Sequence, residues 1–373
     1  MEKSTVYFTN LRTRPGYNLL DKLNRLMTAA GFDEMEWEER FAAIKTHFGE
    51  PGNLSFIRPN YAKAVADHIR SLGGKPFLTD CNTLYVGRRK NALEHMDAAY
   101  ENGFSPFSTG CQIIIADGLK GTDEVEVPVK NGVYVKNAKI GRAIMDADIV
   151  VSLNHFKGHE ATGFGGALKN LGMGSGSRAG KMEQHMNGKP EVNPEMCRAC
   201  HACAKICAQN AIDFKTGRAH IDHDRCVGCG RCLGICNFDA IENENWSAND
   251  DLCCRIAEYA QAVVQDRPAF HINLVMDISP NCDCHSENDA PIIPDVGIFA
   301  SFDPVAVDQA SADACNRMTP VRDSQLGEHL ADGSGHSHDH FSDTSLGTDW
   351  TVCLDHAEKI GLGSRAYELK EVR

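Results

Sequence analysis

Cys197, Cys200, Cys203 and Cys207 follow the spacing C-x2-C-x2-C-x3-C, and Cys226, Cys229, Cys232 and Cys236 repeat it 29 residues later. Three thiolates on one tight loop can grip three corners of an iron–sulfur cube, while the fourth, a turn further on, points at a second cube. The spacing predicts two 4Fe-4S clusters with interleaved ligands: Cys197, Cys200, Cys203 and Cys236 on one, and Cys226, Cys229, Cys232 and Cys207 on the other. The duplication continues past the ligands, because AQNAI follows Cys207 and NFDAI follows Cys236, which makes Ala211-Ile212 and Ala240-Ile241 equivalent. Zinc knuckles would instead use isolated C-x2-C pairs. Thiolate-only ligation implies low reduction potentials and one-electron transfer, and two adjacent clusters exceed what a structural staple needs.

A second concentration of chemistry spans 154 to 185. There Asn154, His155, Lys157, His159, Lys169, Lys181 and His185 surround the glycine-rich run GFGGALKNLGMGSGSRAG, just after a predicted strand. Open α/β sheets bind ligands beyond the C-terminal ends of their strands, and Gly163, Gly165 and Gly166 would let backbone N–H groups approach an anion near a helix start. Lys45, His47, Arg58, Lys157 and Lys169 supply cations for a small carboxylate, and His47 and His159 titrate near neutrality. Further along, NCDCH offers Cys282, Cys284 and His285, with Asp277 and Asp283 nearby, either as a soft-metal site that would need a fourth ligand from elsewhere or as inert or redox-active thiols. His336, His338 and His340 sit in a polar run expected to be a solvated loop with adventitious metal affinity. Cys81, Cys111, Cys253, Cys254, Cys315 and Cys353 have no ligand spacing and read as packing residues.

The elements that must position these groups alternate as a βαβ series does. Strands are expected at 4–9, 42–47, 76–79, 112–116 and 148–153, helices at 17–30 and 61–72, and a hairpin between Glu124 and Val135 turning at Asn131-Gly132. After the cysteines, a helix at 250–264, strands at 270–278 and 296–301, and a helix at 304–315 resume the pattern. The fold class is α/β: a Rossmann-like α/β body with an inserted ferredoxin-like (α+β) segment, divided as 1–190, 191–245 and 246–373. Two separate α/β domains would give the same string. A net charge of −13 and the lack of a Lys/Arg run argue against nucleic acid. With no apolar stretch of spanning length, the chain is expected to be cytoplasmic, with no membrane contact.

Several strings carry resemblances. IKTHFGEPGN at 44–53, FLTDCNTLY at 77–85, HFKGHEATGFGGALKNLGMG at 155–174 and IFASFDPVAVDQA at 298–310 resemble the iron–sulfur centre proteins of domain of unknown function 362. That family implies two cluster sites and an unassigned pocket. The cysteine segment resembles bacterial two-cluster ferredoxin, except that Ala208 and Asn237 replace the proline after each fourth cysteine. The spacing His159, Lys169, His185 with GFGGALK is similar to the nickel-pincer lactate racemases. That resemblance implies His159 as acid/base, Lys169 as the tether of the pincer and His185 as a nickel ligand. Three alternative functions follow: electron transfer between a redox partner protein and another protein or a bound ligand; a redox or isomerising enzyme on a small anionic substrate; or a metallocentre assembly factor handling zinc, nickel or copper.

Overall fold

The computed structural model describes residues 3–84, 87–185, 190–207, 209–226, 232, 235–236, 238, 240–242 and 249–373. Cys229, Ala208 and Asn237, singled out above, lie outside them. Eight strands form one sheet in the order Tyr367–Glu371, Ser4–Asn10, Gly297–Ser301, Ala269–Val275, Ile149–His155, Phe41–Lys45, Lys75–Asp80, Gln112–Ile115. Gly297–Ser301 runs against both of its neighbours, and every other pairing is parallel. The central strands are buried along most of their length, as the near-continuous apolar runs AAIK, IVVSL and FHINLV require of a sheet covered on both faces.

Alternation along each strand sends side chains to two cores. Ile149, Val151, Leu153, Phe270, Ile272 and Leu274 pack under the helices Leu19–Ala29 and Pro59–Ser71. Val150, Val275 and Phe299 pack on the opposite face under Ala167–Ser175, Asn249–Val264, Pro304–Asn316 and Thr351–Ile360. Strands from before residue 190 pair directly with strands from after 246, as in Ile149–His155 with Ala269–Val275, so one sheet replaces the alternative of two α/β domains. The expected hairpin is longer than its pattern suggested. Glu124–Pro128 pairs with Asn137–Gly141, and Asn131 takes a positive φ of 57° in the connection.

The cysteine segment forms short sheets of two-residue strands: Glu191–Val192 against Ile241–Glu242, and Ile212–Asp213 against His220–Ile221. Its repeat is visible in the hydrogen bonds. Ala211 N–H donates to Cys207 Sγ at 3.3 Å and Ala240 N–H to Cys236 Sγ at 3.4 Å; likewise Cys197 N–H donates to Asn193 O and Cys226 N–H to Asp222 O. Among the described residues, no helix is long and apolar enough to cross a membrane.

Candidate functional site

A cavity of about 490 Å³ opens beyond the C-terminal ends of Phe41–Lys45, Lys75–Asp80, Ile149–His155 and Ala269–Val275, where open α/β sheets place ligands. One wall is the hairpin Lys157–His159 with Gly163–Gly165. Residues two apart on a strand share a face, so Lys157 and His159 both line the cavity. A second wall is the helix Ala167–Ser175, whose Gly166, Lys169, Asn170, Met173 and Gly174 follow helical spacing on one side. Lys181 and His185, four apart, complete that side.

Two groups read separately from the sequence, the 154–185 segment and NCDCH at 281–285, meet here. Lys169 Nζ donates to Cys282 Sγ at 2.6 Å. Burial opposes ionisation of Cys282, but the Cys284 thiol, the Lys169 and Lys157 ammoniums and His159 hold its pKa well below the ordinary thiol value. Cys284 is held up, because its thiol proton is shared with Cys282 and the site is buried. Asp283, between them, accepts from His155 Nδ1 at 2.8 Å, while His155 Nε2 meets Met276 O at 2.8 Å. Against the effect of burial, His155 and Lys157 draw the Asp283 pKa down to about 2. Glu50 N–H donates to Asp283 O and Asn53 Nδ2 to His285 O, which clasps the 282–285 loop to the 46–53 loop. Glu160, His285 and Cys284 bring an oxygen, a nitrogen and a sulfur within 4.8 Å of one another, a spacing that a metal ion could bridge.

The histidines differ. His159 Nδ1 accepts from the N–H groups of Ala161 and Thr162, leaving Nε2 as its other ring nitrogen, 3.9 Å from Glu160. His47 Nδ1 accepts from Gly49 N–H and its Nε2 lies 2.7 Å from Arg89 Nη1. Burial and that guanidinium push the His47 pKa well below its usual value. Burial and the adjacent guanidinium disfavour the protonated ring, which argues against the proton-carrier role expected of His47. Burial, then His159, Lys169 and Lys181, lower His185 to about 3, so its imidazole is neutral.

Other expectations change as well. Lys45 lies under the cavity floor and pairs with Asp80 at 2.9 Å, a carboxylate that the Lys45 ammonium holds well below its usual pKa despite its burial. Arg58 lies outside the cavity, half-exposed against Asp277 at 3.1 Å. The Asn154 amide is taken up by Asn273 Oδ1 and Asn170, so it supports the sheet rather than a ligand. The start of Ala167–Ser175 is already capped, since Ala167 and Leu168 N–H donate to Asp308 at 2.7 and 2.9 Å. The glycines make room for side chains instead: a Cβ on Gly165 would lie 3.1 Å from Lys157 Nζ and one on Gly166 only 2.3 Å from Asp308. His340 Nε2 bonds Met318 O, and among the described residues His336, His338 and His340 form no metal-spaced group. Sequence reasoning missed Glu160, Asp80 and Arg89; Glu160 beside His159 and Asp80 beside Cys81 lay within the strings quoted above, whereas Arg89 adjoined no residue singled out.

The cysteines Cys197, Cys200, Cys203 and Cys236 line one recess with Phe214, Ala219 and Ile241. Ala199 and His201 take positive φ of 50° and 62°, turning the C-x2-C-x2-C loop around that recess, and Ala199 and Ala219 N–H donate to Cys197 Sγ. No two of the described cysteines are joined in a disulfide. Among the described residues, no three of these sulfurs close to single-ion spacing.

The model of domain of unknown function 362 matches residues 42–313, so the chain belongs to that family. A thylakoid-associated protein of Synechocystis sp. is 28% identical over 145 residues, 38% of this chain and 40% of that protein. The lactate racemase apoprotein of Thermoanaerobacterium thermosaccharolyticum superposes with a TM-score of 0.34 at 14% identity, covering 73% of this chain and 51% of the racemase. The match thus spans less than two thirds of either relative.

Proposed function

We propose that this chain is an iron–sulfur redox protein in which two 4Fe-4S clusters relay single electrons from a partner protein to a small anion in the 490 Å³ cavity. Cys197, Cys200, Cys203 and Cys236 would hold one cluster, and Cys226, Cys229, Cys232 and Cys207 the other. The observation that carries the reading is a shared wall: Leu84 lines the cavity and packs in the same apolar cluster as Cys197, Cys203 and Cys232, alongside Met182. Cys200 is exposed, which suits electron entry from a partner. Lys157, Lys169 and Lys181 give the cavity the cations an anion needs. Anaerobic purification with iron and sulfide analysis tests it: about eight of each per chain, with coupled EPR signals after dithionite, is expected. Iron near zero with stoichiometric zinc would refute it.

A second reading makes the cavity itself the catalyst of a redox or isomerising reaction. It is supported by His159, Lys169 and His185 all lining one cavity. His159 Nε2 would move a proton at the substrate, Lys169 would exchange its Cys282 contact for a tethered pincer, and His185 would ligate nickel. Nickel near one per chain with added mass on Lys169 would favour it; unmodified Lys169 and no nickel would remove it.

A further inference from the structure

The geometry points to a mixed-donor zinc site on the cavity wall, formed by the carboxylate of Glu160, the thiol of Cys284 and the imidazole of His285, distinct from the eight cluster cysteines. These three donors lie within 4.8 Å of one another, and all three residues line the cavity. They come from two loops that meet only in the fold, and both loops are fastened from behind. His285 N–H donates to Cys282 O in a tight turn, Asp283 is locked by His155 and by Glu50 N–H, and Asn53 holds His285 O. Glu160 follows the strand Lys157–His159, which is fixed by its pairing with Gly163–Gly165 and by Gly158 N–H on Ser279 O. Backbones held this way leave little ordering to be done when an ion arrives.

One sulfur, one nitrogen and one carboxylate oxygen form a borderline set that suits Zn²⁺ rather than Mg²⁺ or Ca²⁺, which take oxygen ligands. His285 Nε2 now lies 3.0 Å from Glu160 Oε1. The ion would take the place of the proton between them, releasing it to solvent along with the Cys284 thiol proton. Cys282 is left to Lys169, its 2.6 Å partner. Three protein ligands leave a fourth position open, the arrangement of zinc sites that bind water or substrate. A small anion entering between Lys157 and Lys169 could place one oxygen on that position. The site does not depend on the clusters being present.

The test is zinc loading of the cluster-containing protein, followed by dialysis, metal analysis and zinc X-ray absorption. About one zinc per chain is expected, with a shell of one sulfur near 2.3 Å and about three nitrogen or oxygen atoms near 2.0–2.1 Å. Cys284→Ser and Glu160→Gln should each lower retained zinc at least about fivefold, with iron, sulfide and circular dichroism unchanged, as removal of one of three ligands requires. No retained zinc in the wild type, or zinc retained equally by both variants, would overturn the site. A four-sulfur shell would overturn it too, and with low iron it would also refute the cluster reading. Normal iron with no zinc would refute only the site.

Discussion

His47 and His159 are the same residue type beside the same cavity, and their neighbours give them opposite capacities. The backbone N–H groups of Ala161 and Thr162 fix the Nδ1 of His159 as an acceptor, which keeps the proton of the neutral ring on Nε2. Arg89 removes that freedom from His47. No local pattern distinguishes the two, because Arg89 is 42 residues from His47 in the chain. A third histidine shows the same dependence and gives a measurable consequence. His356 Nε2 lies 2.8 Å from Glu258, whose carboxylate also accepts from the N–H groups of Val133, Tyr134 and Val135. Cys254 and Glu258 raise the His356 pKa to about 9 from 6.5. A raised folded pKa gives stability that is fully present below pH 6.5 and is lost as pH rises through 9. The unfolding free energy of wild type relative to His356→Gln should therefore fall by up to about 3 kcal/mol across that window in denaturant titrations. A difference that does not vary with pH would mean that the buried imidazole is neutral.

At the scale of elements, the strands and long helices were legible because burial on both faces writes an apolar run, and amphipathic periodicity with caps writes a helix. Asn18 closes a capping box on Leu19–Ala29 and Asp303 caps Pro304–Asn316, both from within the adjoining sequence. The edge strand Tyr367–Glu371 was not anticipated, since YELKE is largely exposed and carries no alternation. Nor was the cap of Ala167–Ser175, which comes from Asp308, 141 residues from Ala167. That cap explains Gly166. The helix start must lie against Asp308, which also accepts from Asn273 Nδ2 at 2.8 Å, and a Cβ at 166 would meet both Asp308 Oδ1 and Phe156. Gly166→Ala should destabilise the protein by about 1–3 kcal/mol through overpacking. Asp308→Ala should cost about 2 kcal/mol or more by losing the cap and leaving buried donors unpaired. Urea midpoints shifted by less than a tenth from wild type in both variants would show that this helix start is not held as described.

For the whole molecule, the sequence placed the cysteine unit between two α/β stretches, but it could not say that those stretches share a sheet. Pairing of Ile149–His155 with Ala269–Val275 and of Ser4–Asn10 with Gly297–Ser301 is long-range and leaves no local mark. The two parts also differ in what holds them together. The body has two large apolar cores, whereas the cysteine unit has two-residue strands and a small core in which Cys197, Cys203 and Cys232 are themselves packing residues. A unit of that size, if it holds the clusters proposed above, would need them to stay folded. Removing iron with a chelator under oxidising conditions should therefore make the 191–242 region sensitive to protease while the body stays resistant. After cleavage there, the two fragments should co-elute on size exclusion and separate only in denaturant, because each supplies strands to the other's sheet. Fragments that part without denaturant would contradict the interleaved sheet. A cysteine unit equally resistant with and without iron would show that its fold does not depend on clusters.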